Sequence, residues 1–174
     1  MRQAGRVLPD LPLPARLDTR AGALTLRRAE PGDLEALVAL LADDPISAAR
    51  GDAASVTDRP AYAAALDAVL DAEGNDLLVA ADREVVGTMQ LTRIPGMARR
   101  GATRLLVEAV RVRSDRRSAG IGAAMMRWVQ HDAARALDAG LVQLTSDAAR
   151  TDAHRFSERL GFAGSHVGFK YPVS

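Results

Sequence analysis

Glu108 stands in a β-rich, otherwise apolar run, Leu105-Leu106-Val107-Glu108-Ala109-Val110-Arg111-Val112. Strand alternation places Leu106, Glu108, Val110 and Val112 on one face. A carboxylate among core-facing neighbours either turns to a cleft or costs stability, so Glu108 is a candidate functional group. A carboxylate in a cleft can act as a general base towards a protonated nucleophile. Immediately downstream the chain reads Arg113-Ser114-Asp115-Arg116-Arg117-Ser118-Ala119-Gly120-Ile121-Gly122 and opens a helix. The first N–H groups of a helix have no internal partner and its dipole favours negative charge there, so a strand, a glycine loop and a helix start together make an anion site. Glycine lets the backbone approach phosphate oxygens, and Arg116 and Arg117 can add charge-assisted bonds.

Two nucleotide signatures are excluded. A Walker loop needs Gly-Lys-Ser or Gly-Lys-Thr, and the chain's single lysine is Lys170. A dinucleotide fingerprint wants a third glycine where Met125 stands and an acid at the end of the next strand, where none sits. The chain has no cysteine, and its three histidines are not spaced as metal ligands, so thiolate chemistry, disulfides and a bound metal are not expected.

The elements that must position these residues are legible in outline. Met1 to Gly22, with Pro9, Pro12 and Pro14, reads as a loose N-terminal extension, and the domain proper spans 23–174. Leu24 to Arg28 alternates like a short strand, and Asp33 opens a helix striped by Leu34, Leu37, Val38 and Leu41. Asp43 to Asp58 is a polar connection, and Pro60 to Ala72 is helical until Gly74. Leu77 to Ala81 and Glu84 to Thr92 form a hairpin about Asp82-Arg83. Ile94 to Gly101 is a loop, and Thr103 to Arg113 is a long strand. Gly120 to Ala139 is the clearest helix, followed by a buried strand at Leu141 to Thr145. A short helix with Ala153, Phe156 and Leu160 on one face ends at Gly161, and Phe162 to Val173 has room for two more strands.

Composition fits one α/β domain. With 174 residues, 48% of them hydrophobic, the chain can build a single core. No run has the length of a membrane span and no leader peptide is evident, so a cytoplasmic protein is expected. A formal net charge of +1 and only 3% aromatic residues argue against nucleic-acid binding despite Arg111, Arg113, Arg116 and Arg117.

Arg117-Ser118-Ala119-Gly120-Ile121-Gly122 resembles the fingerprint of the GNAT N-acetyltransferases: Arg or Gln, two residues, Gly, any residue, then Gly or Ala. Val110-Arg111-Val112 is similar to that family's central strand, and Phe156 to Phe162 to its closing helix. The resemblance implies a central mixed, mostly antiparallel sheet of six to seven strands with helices on both faces, splayed between the fourth and fifth strands. It implies acetyl-CoA as co-substrate, with the pantetheine arm on the backbone of Val110, Arg111 and Val112. The pyrophosphate would then lie on the loop of Arg116, Arg117, Ser118, Ala119, Gly120, Ile121, Gly122 and Ala123. By the same resemblance Glu108 is the base, the Val110 N–H polarises the thioester carbonyl, and Ser157 stands where relatives carry a tyrosine that protonates the leaving thiolate. A serine is shorter and a poorer acid. Arg150 stands where many relatives place an asparagine.

Asp152-Ala153-His154-Arg155-Phe156 with Ser165-His166 looks like the aminoalkylphosphonate N-acetyltransferases. His154 and His166 are candidates for substrate contact or proton transfer, although such histidines more often only hydrogen-bond. Asp43 and Asp44 border the acceptor side in relatives and can hold an ammonium group, or merely end a helix. The expected activity is acetyl transfer to a primary amine of a small molecule by direct attack in a ternary complex, with a homodimer implied by resemblance. A catalytically weak acyl-CoA sensor and a peptide or protein acetylase are the alternatives.

Overall fold

The computed structural model describes residues 8, 10–49, 51 and 54–173. Six strands form one sheet in sequence order: β1 (Ala15–Thr19), β2 (Gly22–Arg28), β3 (Asn75–Ala81), β4 (Val85–Ile94), β5 (Thr103–Val112) and β6 (Ala139–Leu144). The first five pair antiparallel, whereas β5 and β6 run parallel. A parallel pair needs a long crossover, and a helix supplies it. This is α4 (Ile121–Trp128), continued through a π-helical stretch, Val129–Ala133, and a last turn, Ala134–Ala136.

The sheet is covered on both faces. On one side Ile121, Met125, Met126 and Val129 of the crossover helix pack on Leu26, Leu78, Met89, Leu91, Leu105 and Val107, all almost wholly buried. On the other, α1 (Leu34–Ala42) and α3 (Arg59–Asp71) place Leu34, Leu37, Val38 and Leu66 against Val79. A short helix, α2 (Pro45–Ala48), follows α1, and α5 (Thr151–Arg159) follows β6. Alternation within β3 serves both layers: Leu78 and Ala80 face the crossover helix, Leu77 and Val79 face α1 and α3.

Four expectations are corrected. The N-terminal extension is part of the sheet, because β1 pairs along its whole length with β2 and buries Leu17, with Leu8 and Leu11 in the same core; residues 1–7 and 9 lie outside the described residues. This added strand moves the splay to the fifth and sixth strands. Phe162 to Val173 forms no further strand. The crossover helix stops at Ala136, short of Ala139, since Asp138 turns to a φ of 48° and Ala139 already belongs to β6.

Candidate active site

The strand that carries Glu108 is not regular. Thr88 lies opposite Arg111 and Gln90 opposite Glu108, so Met89 alone faces both Ala109 and Val110. That is a β-bulge, with Ala109 at a φ of 49°. One extra residue reverses the strand's alternation. Before it Leu105 and Val107 point into the core under α4, and after it Val110 and Val112 do. Glu108 therefore shares its face with Arg111 and not with Val110 and Val112, which corrects the single-face reading of the sequence. Glu108 is exposed. Beside it on this face, Asn75 Oδ1 accepts hydrogen bonds from Gln90 Nε2 at 3.0 Å and from Thr92 Oγ1 at 2.7 Å.

The bulge also marks where the sheet opens. Pairing between β5 and β6 ends at Val107 and Leu144, while β5 continues to Val112. Arg113 donates its N–H to Val86 O at 2.9 Å, so odd residues past the bulge face β4 and the backbone groups of Val110 and Val112 face the opening. Strand carbonyls that no neighbouring strand pairs need other donors, and arginines supply them here. Arg111 Nη1 donates to Val110 O at 2.9 Å and Arg117 Nε to Val112 O at 3.1 Å. Among the described residues no strand pairs with this edge of β5 past Val107; its carbonyls are held by arginines, and its Val110 and Val112 N–H groups face the opening, where an extended, amide-bearing arm such as pantetheine can accept from them.

At the end of β5 the chain makes a 3₁₀ turn, Ser114–Arg116, and then bends through Ser118 (φ 62°) and Gly120 (φ 86°) into α4. The first helical bond is Ala124 N–H to Gly120 O at 2.9 Å, so the N–H groups before it are those that a helix start leaves for an anion. From the other side Arg20, in the β1–β2 turn, donates its N–H to Ala119 O at 3.0 Å and its Nη2 to Ser118 O at 2.8 Å. The loop's carbonyls are thereby turned back into the protein. Its arginines are held by carboxylates: Arg113 by Asp115 at 2.7 Å and Glu84 at 2.8 Å, Arg116 by Asp82 at 3.2 Å. Backbone N–H bonds and Arg116 keep Asp82 below the usual carboxylate range, Arg113 does the same for Asp115, and Asp115 and Glu84 in turn raise Arg113. Gly122 lies against Phe156 and Val112, where an added Cβ would stand 3.5 Å and 3.6 Å from their atoms. These features suit a diphosphate at the loop and an extended arm along β5.

Asp43 and Asp44 are both engaged by the chain's own donors. Asp43 Oδ2 accepts from Ser114 N–H at 2.6 Å and lies 3.6 Å from Arg117. Asp44 caps α2 through Ser47 N–H at 2.9 Å and makes a two-pronged pair with Arg150. That pair, with lesser help from Ser47 and Arg111, holds the Asp44 carboxyl far below its usual range. His154 Nε2 lies 2.9 Å from Asp147 O, and His166 Nδ1 lies 2.8 Å from Ser165 Oγ on the exposed tail. Ser157 Oγ donates to Ala153 O at 2.9 Å, the back-bonding of a helical serine. Arg20 and the Asp44–Arg150 pair were missed in the sequence, since partners 98 or more residues apart leave no local pattern.

Comparison with known proteins decides the family. The family model for acetyltransferases of the GNAT family matches residues 35–162. The chain belongs to the GNAT acetyltransferases. Among solved structures, this acetyltransferase is similar to a protein described as a transcriptional regulator from Bacillus halodurans C-125. The two are 36% identical with a TM-score of 0.81, over 86% of this chain and 99% of that one. It is also similar to a putative acetyltransferase from Agrobacterium tumefaciens str. C58, at 25% identity and a TM-score of 0.71 over 85% and 99% of the two chains. Glucosamine-6-phosphate N-acetyltransferase from Arabidopsis thaliana shares the fold at 15% identity, with a TM-score of 0.67 over 87% and 99%. No curated protein matches the chain. Like other members of the family, the acetyltransferase depends on an acyl-CoA donor.

Proposed function

We propose that this acetyltransferase, working in the cytoplasm, uses acetyl-CoA to acetylate a primary amine of a small molecule by direct attack in a ternary complex. The observation that carries the reading is the bulge at Ala109, which separates an exposed Glu108 on one face from the Val110 and Val112 N–H groups that face the splay. Acetyl-CoA supplies the activated thioester. Arg116 to Ala123 hold its diphosphate, chiefly through backbone N–H groups, and the edge of Val110 to Val112 orients its arm. Amines near neutral pH are mostly protonated, so Glu108 takes the proton, directly or through water, before attack. The Val110 N–H donates to the carbonyl oxygen as negative charge develops there. The nitrogen–carbon bond forms, the nitrogen gives its second proton to water, the carbon–sulfur bond breaks, and the leaving thiolate takes a proton back from water, because Ser157 Oγ is committed to Ala153 O.

With Asp43 and Asp44 occupied by internal donors, Glu108 is the carboxylate that meets the acceptor's ammonium. Aminoalkylphosphonates are the first acceptors to try, with His154 and His166 as contacts for the acceptor's anionic end. The proposal includes a homodimer, supported by the alternating Val167, Phe169 and Tyr171, which are 80%, 93% and 89% exposed in the single chain. The test is thiol release from acetyl-CoA across a panel of primary amines, with Glu108→Gln as control. A second reading, an acyl-CoA-binding sensor with little turnover, is favoured by Ser157 and by the similarity to the protein described as a transcriptional regulator. Tight binding without turnover on any amine would select it.

A further inference from the structure

Three elements distant in sequence are pinned at one carboxylate. Asp44, 7% exposed, accepts at Oδ1 from Arg150 Nη1 at 2.8 Å, and at Oδ2 from Arg150 Nη2 and from Ser47 N–H at 2.9 Å. Arg111 Nη2 lies 3.7 Å from the same oxygen and donates to Ser47 Oγ at 2.7 Å, while its Nη1 holds Val110 O. Arg150 immediately precedes α5, and its own carbonyl accepts from His154 N–H at 3.1 Å. The contacts therefore tie α2 to the splayed half of β5 and to the start of α5.

Past Val107 and Leu144 no ladder bond joins β5 to β6, so the sheet itself does not set the width of the opening. Something else must. A buried ion pair is weak evidence of stabilisation, since apolar residues of the same shape often serve as well. What such a pair supplies is geometry, because a two-pronged arginine–carboxylate contact fixes distance and orientation together. Resting on the acyl-CoA reading above, we infer that Asp44, Ser47, Arg111 and Arg150 form a clasp across the splay that presets the slot for the pantetheine arm. Asp44 and Arg150 are positioning residues: they touch neither reacting group, and they spare the ligand the cost of ordering its own slot.

Calorimetric titration with coenzyme A tests the clasp without turnover. Asp44→Asn keeps an oxygen to cap Ser47 and loses the charge. We expect it and Arg150→Gln each to raise the Kd for coenzyme A by about tenfold, the double variant to raise it no further, and Arg150→Lys to fall between. Folded single variants, by circular dichroism, that bind within about twofold of the wild type would overturn the clasp, as would losses that multiply in the double variant. Should Arg150→Gln fail to fold, Asp44→Asn and Arg150→Lys decide alone. A wild-type protein that does not bind coenzyme A would contradict the acyl-CoA reading itself, an outcome distinct from unaffected variants.

Discussion

On the proposed reading the chemistry turns on Glu108, whose exposure lets it meet an acceptor. Glu108→Gln keeps the shape and removes the base. Its turnover with the best amine should fall by about 10² to 10⁴, while coenzyme A affinity in a parallel titration stays unchanged. Asp44 makes a different prediction. Its carboxyl is depressed in the folded state, so its contribution to stability is complete above the unfolded value, near 3.9, and is lost as pH falls towards the folded one. Asp33, held down by Arg27, acts in the same direction; Asp76, raised by burial, acts in the opposite one. The stability gap between wild type and Asp44→Asn, from urea unfolding, should shrink between about pH 6 and about pH 3; a constant gap would remove Asp44 from the account. Glu108 was recognisable in the sequence as a charge in an apolar strand, but the face it occupies was not. Asp44 read as an ammonium contact or a helix end because Arg150 arrives only through the fold.

At the scale of elements, the irregular parts of β5 and its loop do the positioning. The sequence did carry a sign of the bulge: Glu108 and Arg111 are three residues apart, whereas a regular strand spaces one face by two. Reading strict alternation through them put Glu108 on the wrong face. The turn at Gly120, by contrast, was legible, because glycine suits a φ of 86°, whereas Ser118 at a φ of 62° and the bonds from Arg20 left no sign. Gly120→Ala should cost about 1–2 kcal/mol in urea unfolding, since a Cβ is strained at that φ, and should also weaken coenzyme A binding by moving the amides of the anion site. If stability falls and binding does not, the loop is structural only. The longer helices and the hairpin were readable from their periodicity; α2, which falls within the expected polar connection Asp43 to Asp58, was not. The pairing of Ala15–Thr19 with β2 was hidden by the prolines before it.

For the whole molecule, the fold class was within reach of the sequence, while the ends of the chain were not. The expected strands after Phe162 are absent, and Val167, Phe169, Tyr171 and Val173 stand exposed. If the tail serves assembly, light scattering should give twice the 18.4 kDa chain mass, and truncation after Gly164 should return the monomer. A monomeric full-length chain would remove the dimer from the proposal. Acceptor identity is illegible from the sequence because it depends on segments that the cofactor core does not constrain, such as 45–58 and the loop of Arg99 and Arg100. Acetyl transfer with Glu108 as base is tested by thiol release from acetyl-CoA over a panel of primary amines that includes aminoalkylphosphonates. Turnover on at least one amine, collapsing in Glu108→Gln, is expected; thiol release on no amine, or turnover that Glu108→Gln leaves intact, would overturn the assignment.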